Sequence, residues 1–436
     1  MKSQFSHKCF FLFVLCLAVS LGFGQAHAQE PKIIYVYDDL GRLSRVVDQN
    51  NDCATYEYDA VGNILSITRS ANCLQPPTVD SLSLDTARAG ETACITITGS
   101  NFLGATVTTD NPEVQISRVR VFDTRIEVCL IISALSPVGP TRIIVSTPGG
   151  VAERLFTIDP RLVVLTQNTT IGPTDLRFEL LALTIAGPVT VTIDGAHRFA
   201  SLTLQNSAVV THSATTNTAT FSLNLTVDRT LAVDATSKVD VTGRGFLGGA
   251  KPGNPFGDRG MTLGFAAGST NRNGGSYGGI GGLLSGTVNQ VYGDFRDPNE
   301  PGSGGGAHNA AAGSGGGLIR IVAQTLQLDG IITANGENAI STTDAGGGGG
   351  SGGGIRIDIG TLQGTGTINA NGGNGGAGDG GGAGGGGGRV AVYYETPGNF
   401  NLASQLTAAG GAGGAAGVPG GQNGSVFSQQ QTFFSP

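Results

Sequence analysis

The chain reads as an all-β protein: a short sheet of hairpins, a β-sandwich, then a parallel β-helix with glycine-rich excursions. Three observations predict this. The last third repeats itself: Gly317-Leu318-Ile319-Arg320-Ile321 returns as Gly354-Ile355-Arg356-Ile357 and again as Gly388-Arg389-Val390-Ala391-Val392, with arginine steps of 36 and 33 residues. A second echo follows each copy, Ile332-Thr333-Ala334-Asn335-Gly336, Ile368-Asn369-Ala370-Asn371-Gly372 and Leu406-Thr407-Ala408-Ala409-Gly410. Near-fixed periods of this size mean that one supersecondary unit stacks on its copies, each burying its apolar face on the next. Elsewhere short Val-, Ile- and Thr-rich runs alternate apolar and polar residues between turn signals, the period of strands and not of helices. Glycine supplies 73 of 436 residues, in runs without the strict triplet and proline of collagen.

Residues 1–28 have the layout of a secretory signal. Lys2 and Lys8 precede an apolar stretch from Phe10 to Leu21, and Ala26-His27-Ala28 is a small-x-small cleavage site. The rest holds no segment apolar and long enough to cross a bilayer as a helix. Cleavage removes two lysines and no acid, taking the formal charge from −7 to −9. An exported acidic chain is expected at the cell surface or outside it. It is a poor nucleic-acid binder, which needs basic surface. Cys53, Cys73, Cys94 and Cys129 remain. Export permits disulfides, and four cysteines allow three pairings. Local pairing is the simplest, because Cys53 and Cys73 flank one hairpin while Cys94 and Cys129 fall in two strands of one module.

The first module spans residues 29–74. Tyr35-Val36-Tyr37-Asp38 precedes Gly41-Arg42-Leu43, and 21 residues later Tyr56-Glu57-Tyr58-Asp59 precedes Gly62-Asn63-Ile64. Each copy reads as strand, glycine turn and returning strand. Two copies agreeing at Tyr, Tyr, Asp and Gly resemble the YD repeats of Rhs-family proteins. In that family many such repeats form a spiralling shell that can enclose a toxin. The two copies here, about a tenth of the chain, imply a docking sheet or remnant.

Residues 75–160 hold short runs between turns: Cys94 to Thr98, Arg118 to Phe122, Ile126 to Ile132, Arg142 to Ser146 and Val151 to Ile158. That spacing predicts a β-sandwich, with Ile95 and Ile97 buried and Cys94, Thr96 and Thr98 wetted. Ile95-Thr96-Ile97-Thr98-Gly99-Ser100-Asn101-Phe102, with Ser146-Thr147-Pro148-Gly149-Gly150 and Leu155-Phe156-Thr157-Ile158 later, is similar to the IPT/TIG domain. The resemblance implies an immunoglobulin-like interaction module.

Residues 161–436 open with strands such as Val189 to Ile193, Ser201 to Leu204, Phe221 to Val227, Thr230 to Val233 and Lys238 to Val241. No helix pattern separates them, which fits successive faces of a right-handed, elongated β-helix. Within a repeat three strands are expected, Ile319 to Val322, Thr325 to Leu328 and Ile331 to Ala334, with one repeat per coil. The glycine runs between repeats read in two ways. They are flexible loops, or they are extended threefold helices that pair their amides side by side. Several runs leave one face of the stack, so partial order is expected. Gly313-Ser314-Gly315-Gly316-Gly317 before the strand and Ala334-Asn335-Gly336 after it resemble glycine-rich β-helical regions of large bacterial surface proteins. They resemble more loosely the glycine-rich domain of some receptor kinases.

No residue pattern declares a catalytic centre. His197, His212 and His308 lie far apart and read as surface or strand-end residues. Gly-x-Gly-x-x-Gly strings arise by chance in such tracts and have no βαβ context. The densest polar run, Gly293 to Glu300, offers Asp294, Asp297, Asn299 and Glu300 as hard oxygen donors. It is a candidate calcium loop or a solvated turn. No other cofactor is expected. Arg320, Arg356 and Arg389 share one strand phase and are expected to form an outward stripe. Carboxylates such as Asp358 should shield it, and it would be a candidate contact for an acidic polysaccharide. The function expected is that of an exported surface or matrix protein, adhesin-like or structural, that binds cell-surface polysaccharide or surface proteins and has no catalysis of its own. Two other readings stay open. A β-helical polysaccharide-degrading enzyme would need clustered carboxylates on neighbouring coils, and an Rhs-type toxin-delivery remnant would need many more repeats. The sequence does not indicate an oligomeric state.

Overall fold

The computed structural model describes residues 33–38, 40–71 and 73–432. The signal segment 1–28 lies outside them. The described chain is almost wholly strand and extended loop, as the sequence predicts. It falls into two compact units. One holds the residues up to Asp85 with 93–130 and 141–156, and the other holds 86–92, 131–140 and everything from Thr157 on.

Strands Ile34–Tyr37, Leu43–Val47, Cys53–Tyr58 and Ile64–Ser70 form a four-stranded antiparallel meander. The repeated Asp builds its turns. Asp38 Oδ1 accepts the backbone N–H of Leu40 and Arg42 (3.0 and 2.8 Å), and its Oδ2 accepts Arg42 Nε (2.8 Å). Asp59 treats Val61 and Asn63 in the same way, with Asn63 Nδ2 in place of the guanidinium. Gly41 and Gly62 take φ of +75° and +97°, the left-handed conformation that such turns require. A third turn of this kind joins the two copies. Asp48 Oδ1 accepts Asn50 and Asp52 N–H, and Asn51 holds φ +66° where the others have Gly. Asn tolerates that region where most residues do not. The sheet is tied to the following segment by the Cys53–Cys73 disulfide.

Residues 78–159 form two four-stranded sheets. One orders Thr78–Leu82, Thr92–Ser100, Arg125–Ile132 and Val114–Val121. The other orders Thr86–Arg88, Gly150–Asp159, Gly139–Thr147 and Thr106–Thr109. Ile95 and Ile97 are buried with Ile126, Val128, Ile143 and Val145, while Cys94 stays exposed, which is the expected phase. The Cys94–Cys129 disulfide joins neighbouring strands of one sheet.

From Leu162 on, strands pair in parallel with a regular register. A nine-stranded sheet runs from Leu162–Leu165 through Ala182–Ala186, Ser201–Gln205, Leu223–Val233, Leu318–Leu328, Gly354–Gln363 and Arg389–Thr396 to Ser425–Gln430, with Gly195–Phe199 beside the first half of Leu223–Val233. A seven-stranded sheet stacks Thr169–Ile171, Thr190–Ile193, Val209–Thr211, Lys238–Asp240, Ile331–Thr333, Thr367–Asn369 and Leu406–Thr407. Ile319 sits across from Ile355 and Ile355 from Val390, while Ile332 sits across from Ile368 and Ile368 from Leu406. One repeat is therefore one coil of a parallel β-helix. The first two predicted strands of a repeat run together as Leu318–Leu328, and the ladder breaks at Gln324, where the chain turns between faces. Inward Ile, Leu and Val from successive coils form one continuous core. Each such side chain, fully buried, is worth roughly 1.5–3 kcal/mol.

The glycine runs are ordered and buried, so the flexible-loop reading is set aside. Their hydrogen bonds have a period of three. In the run before Gly354, the N–H of Gly347, Gly350 and Gly353 go to the carbonyls of Ile340, Glu337 and Ala334 on the outgoing chain of the same coil. Those of Gly348 and Ser351 go to Gly306 and Ser303, and those of Gly349 and Gly352 to Ala383 and Gly386 of the next coil. Three residues per turn, no internal bonds and a different neighbour on each side define threefold extended helices packed in a lattice. The run before Arg389 repeats the scheme: Gly382, Gly385 and Gly388 donate to Gly376, Gly373 and Ala370. Packing this close leaves no room for side chains. A Cβ on Gly350 would lie 1.9 Å from Ser314 O, and one on Gly349 would lie 2.0 Å from Gly373 O.

Close approach can be separated from glycine content as such. Gly350→Ala should destabilise the second unit by at least about 3 kcal/mol, the range of severe overpacking. Gly172→Ala, where a Cβ meets nothing within 4 Å, should stay within about 0.5 kcal/mol of wild type. Thermal unfolding of the two variants makes the comparison, and equal losses would mean that the lattice yields.

Candidate binding surfaces

Arg320 and Arg356 stand directly across from each other on adjacent coils, pointing away from the core between buried isoleucines, as the alternation requires. An arch formed by residues 292–301 crosses this face. Asp297 on the arch bridges both arginines, 2.7 Å from Arg320 Nη1 and 3.0 Å from Arg356 Nη1. Arg320 Nη1 also donates to Pro298 O and Asn299 Oδ1 (3.1 and 3.3 Å). Asp358 takes Arg356 by both forks, Oδ2 to Nε at 2.8 Å and Oδ1 to Nη2 at 2.9 Å. The expected shielding carboxylate is thus present, and a second comes from the arch. Hydrogen bonding by Arg320, and then by Arg356, holds the Asp297 carboxyl below the usual carboxylate range. Two arginines meet two aspartates, so the face carries no net charge from this group to attract an acidic polymer.

Arg389 departs from the expected stripe. The ladder sets it across from Gly354, two positions before the arginine site, and Ala391 takes the place across from Arg356. The apolar residues fix the register, Val390 on Ile355 and Val392 on Ile357, and the arginine follows. Its side chain is buried under the arch, where Nε and Nη2 donate to Tyr292 O at 3.0 and 2.8 Å and the guanidinium lies 5.3 Å from the centre of the Tyr277 ring. Tyr277 packs on Tyr292 at 4.8 Å and donates to Glu300 Oε2 at 3.3 Å, and Tyr292 donates to Pro301 O at 2.7 Å. Burial pushes both phenols upward. Tyr393 OH adds a bond to Arg296 O (2.8 Å), and the Arg356 guanidinium lies 4.8 Å from the Tyr393 ring.

The candidate calcium donors do not converge. Asp294 Oδ1 accepts Arg296 N–H (2.8 Å), Asp297 and Asn299 serve Arg320, and Glu300 Oε2 accepts Tyr277 OH and Asn299 N–H. Among the described residues no three His, Cys, Asp or Glu gather as a metal site. The run is an arch clamped to the coil face by arginines and tyrosines, with Asp297 as the counterion of Arg320 and Arg356.

Of the three histidines, His212 sits at the end of the strand Val209–Thr211 as expected, whereas His197 lies within the strand Gly195–Phe199. His308 is exposed, but His197 and His212 are buried. His212 Nδ1 donates to Ser213 O (2.7 Å) and its Nε2 accepts the N–H of Leu318 (3.1 Å), a division that requires the neutral ring. A Cβ on Gly317 would lie 2.2 Å from that Nε2, so the glycine that opens the repeat makes room for the histidine. Burial, the largest cause, lowers its pKa from 6.5 to about 4. His197 Nδ1 sits 2.7 Å from Glu179.

The outer face of the glycine lattice was not singled out from the sequence. Three parallel threefold runs, beginning near Ala334, Ala370 and Ala408, lie side by side there. Asn335 Oδ1 accepts the N–H of Asn371 (2.7 Å) and Asn338 Oδ1 that of Asn374 (2.7 Å). Asn371 and Asn374 in turn accept Ala409 and Ala412 (both 2.8 Å), and Ser341 Oγ accepts Ala377 (2.9 Å). Backbone bonds from Gly336 to Asn371 and from Ala339 to Asn374 alternate with them. Side chains at every third residue therefore staple coil to coil on an exposed, regular surface. The Asn-x-x-Asn spacing in two copies, 36 residues apart, was the signal in the sequence.

Residues 37–72 match the RHS Repeat family, a stretch that takes in the last three strands of the hairpin sheet. No curated protein matches the chain. Among solved structures, SGBP-B from a complex xyloglucan utilization locus in Bacteroides uniformis aligns at 19% identity and TM-score 0.19, over 28% of this chain and 34% of that one. SGBP-B of a Bacteroides ovatus mixed-linkage glucan utilization locus, in complex with a mixed-linkage heptasaccharide, aligns at 14% identity and TM-score 0.16, over 29% and 33%. The matched stretch spans about a third of each of those two proteins.

Two outcomes follow from the clamp and the buried ring. Asp297→Ala should loosen the arch, seen as faster amide exchange over 293–299, with a stability loss within about 1 kcal/mol because the ion pairs are partly solvated. An unfolded chain protonates His212 near 6.5 and the folded one near 4. Stabilisation by the neutral ring is therefore full above 6.5 and lost as pH falls toward 4, to a total of about 3 kcal/mol. Urea unfolding at pH 7 and pH 4 should show a smaller drop in His212→Gln than in wild type, and an equal drop would assign the acid sensitivity elsewhere.

Proposed function

We propose that this chain is an exported, non-catalytic binding and display module of a cell surface or extracellular matrix, with polysaccharide as its partner class. The observation that carries the reading is the exposed outer face of the glycine lattice, where hydrogen-bonded coils hold side chains at fixed spacing. A surface so stiffly built suits recognition of a repetitive polymer, because little side-chain freedom is lost on binding. Two disulfides fit an oxidising compartment, in line with the signal read at residues 1–28. The RHS repeats, an IPT/TIG-like module in residues 75–160 and a glycine-rich β-helix of the surface-protein type support the same assignment.

The neutralised arginine face changes the expected partner. Arg320 and Arg356 are already paired and Arg389 is buried, so the acidic-polysaccharide contact loses its charge. The polysaccharide-cleaving reading is weakened by the same geometry, since the carboxylates nearest the coil face are engaged by arginines.

The mature protein should be retained on a panel of immobilised polysaccharides and on intact cells, and should release no new reducing ends from any polymer that it binds. Accumulating product would overturn the non-catalytic reading, and retention on neither panel nor cells would overturn the binding role.

A further inference from the structure

Resting on that reading, we infer that the amides of Asn335, Asn338, Asn371 and Asn374 form a binding face for an uncharged polysaccharide in extended conformation. Each of these side chains spends its Oδ1 on a backbone N–H of the next coil, at 2.7–2.8 Å. That bond engages the carbonyl end of the amide and leaves Nδ2, a two-proton donor, outside the staple. Asn338 and Asn374 are exposed, and Asn335 and Asn371 are half-buried. Three residues of a threefold helix advance about 9 Å, and adjacent coils lie about 4.8 Å apart. The four donors therefore mark a rectangle with fixed sides. The short side is comparable to one sugar unit of an extended glycan, so neighbouring units can meet neighbouring amides.

The charge balance chooses the class of polymer. The grid contains no ionised group. Glu337, which lies between two of its asparagines in sequence, is turned to Lys251 Nζ (2.6 Å) and the N–H of Ser314 (3.0 Å). The whole chain carries a formal −7, so an acidic polymer is repelled at long range and gains no counter-charge at contact. Sugar hydroxyl and ring oxygens accept from amide donors without that cost.

Ser341 supplies the conservative test, because a serine at the third such position already accepts the next coil's N–H. Replacing all four asparagines by Ser keeps the staple and removes the amide donors. The full mature chain is assayed on hydroxyethyl cellulose as the neutral probe and alginate as the acidic one. Wild type should bind the neutral polymer with little salt dependence and bind alginate weakly. The Ser variant should melt with wild type and lose at least ~10-fold in affinity, the loss of one or two hydrogen bonds. Should it fail to fold, the Asn338→Asp, Asn371→Asp pair keeps an acceptor for each staple and should show the same loss. Wild-type affinity in a folded variant overturns the amide face while leaving the binding role intact, and preference for alginate overturns the charge argument. Binding to neither polymer counts against the face, and only failure on the wider polysaccharide and cell panel removes the binding role itself.

Discussion

An extended threefold helix makes no hydrogen bond within itself, and that constraint governs the second unit. Every buried N–H in the glycine runs must find a carbonyl on another stretch of the polypeptide, or cost what an unpaired buried donor costs. The three directions of one run are met by three neighbours, as the bonds from Gly348, Gly349 and Gly350 show. Those neighbours must come within a distance that no Cβ permits, hence the glycine, and they must arrive in order. The β-helix supplies the order. Its parallel ladders hold Ile319, Ile355 and Val390 one coil apart, so the runs that leave each coil start already aligned. Strand stack and lattice share one spacing, and neither half of a repeat is satisfied without the other.

The same dependence explains why the arginine stripe became a clamp. The long excursion between Asp240 and Leu318 joins the lattice and then crosses the coil face before the chain re-enters the stack. A polar face with two adjacent guanidinium groups would be destabilised by like-charge contact. Asp297 from the arch and Asp358 from the strand remove that penalty. Tyr277, Tyr292 and the buried Arg389 anchor the base of the arch, where a polar network without solvent has to be fully paired. Side chains that looked free to meet a ligand are engaged because a distant stretch of the same chain lands on them.

What was legible in the sequence follows from range. The Asp–Gly turns, the alternation of Ile95 and Ile97, the coil repeat and the pairing of Cys53 with Cys73 are set by neighbours within one hairpin or one repeat, and periodicity exposes them. Arg389 escapes the periodicity because its arginine suggests one register for the third repeat, while the core sets another through Val390 and Val392. The strand-end position of His212 is legible, but its burial is not, because its partner, the N–H of Leu318, lies 106 residues away. The counterion role of Asp297 depends on an equally long return. Composition revealed the glycine runs, but their order rests on three-dimensional neighbours that only the stacking of coils predicts.

The asparagines show how one residue type can serve both fold and surface. Asn335 and Asn338 each face a following coil whose N–H needs an acceptor, and so do Asn371 and Asn374. In the third parallel run the corresponding positions are Ala409 and Ala412, whose own N–H groups are the ones capped. Between the staples the backbone bonds run the other way, from Gly336, Ala339 and Gly372 to the carbonyls of Asn371, Asn374 and Ala409 on the following coil. Ser would suffice for the staple, as Ser341 does. The choice of Asn at four positions adds Nδ2, a donor on a different atom from the one that makes the staple. The fold accounts for one end of each amide, and the lattice sets the spacing of the ends that the staple leaves unused.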